Sequence, residues 1–211
     1  MRIFQLIDSL SIGGAERMAV NLANMFSGKN IPNLLVASRQ AGPLSALLTD
    51  QGVFRTIGKT KTLDLKAFRE LIRLAKEFNP THLHVHDSSV FWGVALKVFI
   101  PKVQLIWHAH YGGFSSSDQR FGGKLKFIQS GIDIMIAVNE ELLVWAGKEI
   151  AKVKRKAFIE NFPDVSGIFI KPERISKTLI CVANLKSPKN HQLLISAFSE
   201  LLRINLILNY N

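Results

Sequence analysis

Apolar residues fall into two alternating rhythms along the 211-residue chain. RIFQLI at the start, NLLVAS (33–38), VFRTIG, THLHVHD, VQLIWHAH, IDIMIAV and KAFIEN are short apolar runs with the length of buried strands. Between them the apolar residues recur at helical spacing. Over 14–27 they are Ala15, Met18, Ala19, Leu22, Ala23 and Phe26. The clearest helix is 63–79, with Leu65, Phe68, Leu71, Ile72, Ala75 and Phe78 on one side and Pro80 stopping it. PLSALLTDQ (43–51) reads as a short helix ended by Gly52. SSVFWGVALKVF and NEELLVWAGKEIAK read as helices too, and KLKFIQSG closes one after a polar, glycine-rich loop from Tyr111 to Gly123.

Strands alternating with helices predict βαβ units with right-handed crossovers. The fold class is therefore α/β, a Rossmann-like parallel sheet with helices on both faces over residues 1–161. Residues 162–176, within FPDVSGIFIKPERISK, read as a linker. From 177 to 211 a new strand, KTLICVAN, and a helix, KNHQLLISAFSELL, begin a second Rossmann-like domain that is incomplete. One βα unit cannot cover both faces of a parallel sheet.

At 47% hydrophobic the chain has the material for a core. Cys181 is its single cysteine, so no intramolecular disulfide framework exists, which fits a reducing cytoplasm. The N-terminus lacks a signal-peptide pattern, and no stretch reaches the roughly 20 apolar residues of a spanning helix. A soluble, cytoplasmic protein is expected. Lys+Arg 27 against Asp+Glu 16 gives a net charge of +11, which favours anionic partners. The densest basic run, KEIAKVKRKAF (148–158), reads as a solvated face or as a membrane-surface patch. No nucleic-acid motif is present, and no nucleic-acid partner is expected.

In α/β sheets ligands bind beyond the carboxyl ends of the strands. That edge collects Ser11, Gly13, Gly14, Glu16 and Arg17 after the first strand, and His86, Asp87 and Ser88 after the fourth. His108, His110, Tyr111 and Gly112 follow the fifth, Asn139 and Glu140 the sixth, and Asn161 the seventh. Gly13-Gly14 fits neither GxGxxG nor a Walker A loop; it is expected to make a turn at positive φ and to let a ligand approach bare backbone. Glu16 is placed either by the helix dipole or by contact with a sugar or acceptor. His82, His84 and His86 share one strand face, as do His108 and His110. His82 and His84 read as core or sub-surface residues, His86 and His110 as substrate hydrogen-bonders. No carboxylate set surrounds an open position, so no metal site is expected. The carboxylates are not paired as in a glycoside hydrolase. A dinucleotide oxidoreductase fails for want of its glycine fingerprint and of an acidic residue where Ser38-Arg39 stands.

GGAERMAVNLANMF, THLHVHD, LIWHAH, the AVNEEL turn, IENFPD and ICVANLKSPKNHQLLISAF occur in an order and spacing that resembles the GT-B glycosyltransferases of family 4, over residues 2 to 202. The resemblance implies a two-domain, retaining enzyme with no obligatory metal and no cofactor. It would move a sugar from a nucleotide-sugar donor, UDP- or GDP-linked, to a glycan or lipid-linked acceptor in surface-polysaccharide synthesis. The chain would hold the acceptor-side domain, followed by the start of the nucleotide-sugar-binding domain. By the same resemblance Gly13 and Gly14 approach donor phosphates or acceptor, and His110 or His108 faces the donor sugar. Asn139 stands for the serine of a "VSE" turn, and Asn184 and Lys189 stand where the family grips the diphosphate with Arg and Lys. The family's paired glutamates belong to a part beyond this chain. The alternative is therefore an inactive, truncated acceptor- or membrane-binding module. The GGAER loop and ANLKSPKNH argue against a sugar-nucleotide 2-epimerase. Location is expected to be cytoplasmic, peripheral on the inner face of the membrane.

Overall fold

The computed structural model describes residues 1–110, 122–162, 179–183, 185 and 189–208. The chain divides into two compact units, Met1–Ser166 and Gly167–Asn211. The first is built on seven strands: β1 (Ile3–Ser9), β2 (Asn33–Gln40), β3 (Phe54–Thr56), β4 (His82–His86), β5 (Gln104–Ala109), β6 (Ile134–Ala137) and β7 (Arg155–Phe158). They form one sheet in the order β3-β2-β1-β4-β5-β6-β7, every pair parallel. This is the Rossmann-like sheet that the alternating pattern predicts. The order reverses between β1 and β4, so the crevice of an open α/β sheet lies beyond their carboxyl ends.

The helices are α1 (Gly14–Gly28), α2 (Leu65–Phe78), α3 (Val90–Lys97), α4 (Gly122–Ile128) and α5 (Glu140–Glu149). On one face of the sheet Leu71, Leu74 and Ala75 of α2, Leu96 of α3, Leu125 of α4 and Leu142 and Ala146 of α5 pack in one cluster. Their sheet partners include Phe4, Leu6, Leu83, Val85, Leu105, Trp107 and Met135. Ala19, Val20 and Ala23 of α1 pack on the other face against Ile7, Leu35 and Ala37. Asp64 caps α2 by accepting from the Ala67 N–H, and Asn79 ends that helix in the left-handed region, φ 50°.

Some elements differ from the sequence reading. Residues 43–51 are not one helix but part of two 3₁₀ turns, Pro43–Leu47 and Gln51–Val53. The Asp50 carboxylate accepts from Gly52 N–H, and Thr49 N–H is drawn to Asn24 Oδ1, so the backbone groups a helix needs are engaged elsewhere. Leu65 is 71% exposed; the buried stripe of α2 is centred on Ala67, Leu71, Leu74 and Ala75. Gly122 and Gly123 open α4 instead of ending the loop, whose residues 111–121 lie outside the described residues.

In the second unit, residues 179–183 carry no strand, and Leu179, Ile180 and Val182 are exposed. A parallel strand exists only by pairing, and no partner strand occurs among the described residues of that unit. Its helix α6 (His191–Leu208) forms as the pattern predicts and runs past the expected end.

Candidate functional site

Two clusters stand on strands that meet at the reversal. One is a row of imidazoles. Parallel register places Gln5 of β1 beside His84 of β4, and His86 beside His108 of β5. Because side chains alternate, Gln5, His84, His86 and His108 share one face, and His110 follows two residues on. The rings of His84 and His86 (centroids 4.7 Å apart) and of His86 and His110 (5.2 Å) stack, and those of His108 and His110 lie 4.0 Å apart and tilted. Their nitrogens pair as well, His84 Nε2 with His108 Nδ1 at 3.1 Å and His86 Nδ1 with His110 Nε2 at 3.0 Å. Gln5 Oε1 accepts from His86 Nε2 at 3.2 Å, and Asn161 Oδ1 from His110 Nδ1 at 3.1 Å.

Burial sets the charge of this row. Loss of water lowers His84 to about 3 and His108 to about 2, each helped by the positive neighbour His110 would become, and it drives His86 well below the ordinary range. His110 is lowered to about 4, again by burial, with the Asn161 bond opposing. All four are neutral at pH 7. His110 Nδ1 faces Asn161 Oδ1 and its Nε2 faces His86 Nδ1 at 3.0 Å, so a substrate approaching either nitrogen requires Asn161 or His86 to give way. Its backbone N–H donates to Asp87 Oδ1 at 2.7 Å. Asp87 itself stands at φ 44°, held there by this bond and by Trp107 Nε1–H donating to its carbonyl.

The second cluster is charged. Asp8 near the end of β1 accepts from Ser38 Oγ at 3.0 Å and Arg39 Nε at 2.9 Å, with Lys59 Nζ at 3.4 Å. Burial pushes its carboxyl up, but Ser38, Lys59 and Arg39 together outweigh that and hold it below the usual value. Lys59 also lies over the Trp92 ring, 4.6 Å from its centroid.

The glycine pair between these strands and α1 behaves differently from expectation. Gly13 is extended, φ −173°, and neither glycine has positive φ. Its bareness serves another end. A Cβ on Gly13 would fall 2.2 Å from Glu16 Oε2, so the Glu16 carboxylate folds back over the start of α1. No side chain caps that helix. Its first N–H groups and the carboxylate therefore offer donors and an acceptor side by side. Gly14 has nothing within 4 Å of where a Cβ would stand, and Arg17 is exposed. Among the described glycines Gly42 and Gly58 take positive φ, and at Gly42, φ 70°, a Cβ would lie 2.3 Å from the Leu10 carbonyl oxygen.

The structure thus brings His86, His108, His110 and Asn161 together, while Gly13, Gly14, Glu16 and Arg17 stand at the start of α1, which follows β1. His84 is buried, and His82 is half-buried and pairs with Thr81. Asn139 is taken up in capping α5, its Oδ1 accepting from Leu142 N–H at 2.7 Å. Lys189 is exposed in the second unit, and Asn184 lies outside the described residues. Sequence reasoning missed Gln5, Asp8 and Gly42. The signal for Gln5 was a single amide inside an apolar strand.

A comparison with curated protein sequences finds no match. Among solved structures the chain is similar to Anabaena Alr3699/HepE in complex with UDP, at 18% identity and TM-score 0.60, covering 79% of this chain and 45% of that one. A glycosyltransferase from Rickettsia africae ESF-5 matches at 13% identity and TM-score 0.57, over 75% of this chain and 42% of its own. UDP-N-acetylglucosamine 2-epimerase from Rickettsia bellii matches at 11% and 0.52, over 76% and 45%. Identities this low show the fold alone, and that fold serves transfer and epimerisation alike. The chain spans less than half the length of these proteins. What separates the readings is the sequence pattern of Glycosyltransferase Family 4, which matches residues 12–145, more than half the chain. The chain belongs to glycosyltransferase family 4.

Proposed function

We propose that this chain supplies the acceptor-side half of a retaining glycosyltransferase acting on a nucleotide sugar, UDP- or GDP-linked, and a glycan or lipid-linked acceptor of surface polysaccharide. The observation that carries the reading is the uncapped start of α1, following β1 at the strand reversal and bearing the folded-back Glu16. Free N–H groups at a helix start attract phosphate, and a carboxylate beside them accepts from sugar hydroxyls. The relative bound to UDP, and the same protein bound to UDP and glucose, support a nucleotide-sugar donor. In this reading Asn184 and Lys189 meet the diphosphate, His110 meets the sugar, and the linker and domain boundaries are those of the sequence reading.

The test is a titration of the isotopically labelled chain with UDP, GDP and UDP-glucose, followed by NMR, alongside a transfer screen over UDP and GDP sugars. Shifts centred on Gly13, Gly14 and Glu16 are expected. Shifts that avoid α1, with no product from any donor, would sink the proposal.

A second reading, a binding module seated on an anionic membrane, has its own observation. Phe127 on α4 is 87% exposed beside exposed Lys126, which pairs with Glu149, and one turn from exposed Lys124, an apolar tip with lysines around it. No helix among the described residues is long and apolar enough to cross a membrane. Sedimentation with acidic vesicles at low salt, reduced by Phe127→Ser, would support peripheral contact. Indifference to acidic lipid would remove it.

A further inference from the structure

The hydrogen bonds of the histidine row do not close on themselves. His86 Nε2 faces the oxygen of Gln5, so that nitrogen carries the proton; His110 Nδ1 faces the oxygen of Asn161, so it carries one too. A neutral imidazole has one N–H. His86 Nδ1 and His110 Nε2 are then both bare, and they stand 3.0 Å apart, lone pair to lone pair. Turning the Asn161 amide end for end relieves that contact, since amide orientation is an assignment. It does not relieve the rest. His108 Nε2 is buried without a partner, and so is Gln5 Nε2; turning Gln5 only moves the orphan to its oxygen. His108 is 4% exposed and Gln5 0%, so bulk water does not supply the missing partners.

A cation among the rings answers an imidazole lone pair such as the one left over on His108, whereas Gln5 Nε2 is an N–H donor and does not itself call for an ion. One ring nitrogen from each of His84, His86 and His108 lies within 4.8 Å of the others, and all three residues are buried. Two come from one strand at i and i+2, and the third from the neighbouring strand. A sheet can present three imidazoles to one ion in this way, because alternation fixes the face and strand spacing fixes the separation. Zinc–imidazole bonds of about 2.0–2.1 Å require ligand nitrogens a little over 3 Å apart in a tetrahedron. The shorter pairings here are already at 3.0 and 3.1 Å. The rings are stacked, so they must turn about χ2 to converge, while the strands stay where they are. Gln5, bonded to His86, and Asn161, bonded to His110, occupy the positions of outer partners that orient ligating imidazoles. Asp87 brings one carboxylate to the end of the row. The sequence-based objection, that no carboxylate set is present, has less force than it seemed, since three neutral imidazoles suffice as a protein ligand set.

We propose that His84, His86 and His108 form a binding site for a divalent transition ion of the imidazole-preferring class, zinc or its mimics cobalt and nickel, with His110 as fourth ligand or gate. The site lies on the face of the sheet and shares only His110 with the transferase reading, and its test reads metal retention without any sugar donor.

The experiment uses the full chain prepared without a polyhistidine tag, dialysed against micromolar zinc and analysed by elemental mass spectrometry, with a parallel cobalt titration read in the visible spectrum. Retention near one equivalent is expected, with the intense absorption of four-coordinate cobalt. His84→Gln and His108→Gln should abolish both, while His82→Gln and His191→Gln change neither. Gln5→Leu should weaken binding about 10- to 100-fold as a lost outer partner. Should the ligand variants fail to fold, nitrogen-15 shifts of the wild-type imidazoles on zinc addition decide, since only coordination moves His84, His86 and His108 together. Absence of retained zinc in the wild type overturns the site. So does binding that survives His84→Gln or follows His191 or His82.

Discussion

The two clusters beside the strand reversal solve the same problem in opposite ways. Around Asp8 the chain keeps charge: Asp8 and Arg39 are about 40% exposed in their side chains, and water shares the cost of holding them. In the histidine row the chain gives charge up. His84, His86 and His108 are buried, and they are neutral because burial makes the protonated form too costly. Neighbouring strands of one sheet thus carry an ionic cluster that is individually weak and a neutral cluster whose neutrality is bound up with the fold itself.

Acid should separate the two most sharply. Each histidine of the row has a folded pKa below its unfolded value of 6.5. The unfolded chain therefore binds more protons, and stability is lost as pH falls below 6.5. The expected slope is about 1.4 kcal/mol per pH unit for each imidazole that stays neutral. Asp8 has the same sign but a lower window, since its contribution is lost only as pH falls below about 3.8. Urea unfolding at pH 7 and pH 5 should show a loss of several kcal/mol, and His84→Gln should flatten it. Equal stability at both values would contradict a neutral row.

Gly42 supports the charged side, where its positive φ and contact with the Leu10 backbone leave no room for a side chain. Gly42→Ala should cost about 2–4 kcal/mol, combining left-handed strain with a clash against backbone. Thermal unfolding would measure it, and a shift of only a degree or two would show that the loop relaxes freely. Gly93 supports the other side. A Cβ there would meet Val85 Cγ1 of β4 at 2.6 Å. Overpacking by Gly93→Ala should cost about 1–3 kcal/mol, read as a lower urea midpoint with unchanged slope. The smallest effect belongs to Asp8→Asn. Its partners are partly solvated, so about 1 kcal/mol or less is expected, fading in high salt. A larger, salt-independent loss would mean that the Asp8 cluster is as closed as the histidine row.

Most of the sheet was legible because a buried parallel strand must be apolar over most of its length, as the runs 3–7, 34–37 and 105–107 are apart from Gln5. The histidines could be placed on one face by parity alone. Their mutual bonds could not, since those depend on β4 and β5 being neighbours in register. Gln5 was hidden for the same reason: its partner His86 lies 81 residues away. Gly13 misled because a glycine before a helix suggests an unusual φ, whereas its role is to leave space for the Glu16 carboxylate. Gly42 passed unnoticed because its constraint is a backbone contact with Leu10, which no local pattern reveals.

The margins of the sheet carry a last consequence. Its outermost strands are short, β3 with three residues and β7 with four, and each bears exposed arginine, Arg55 and Arg155. Two such borders brought together would offer few backbone bonds and would set like charges face to face. Edge-on stacking of copies into a continuous ribbon is opposed at both ends, so a chain rich in apolar strands is guarded against that route to aggregation.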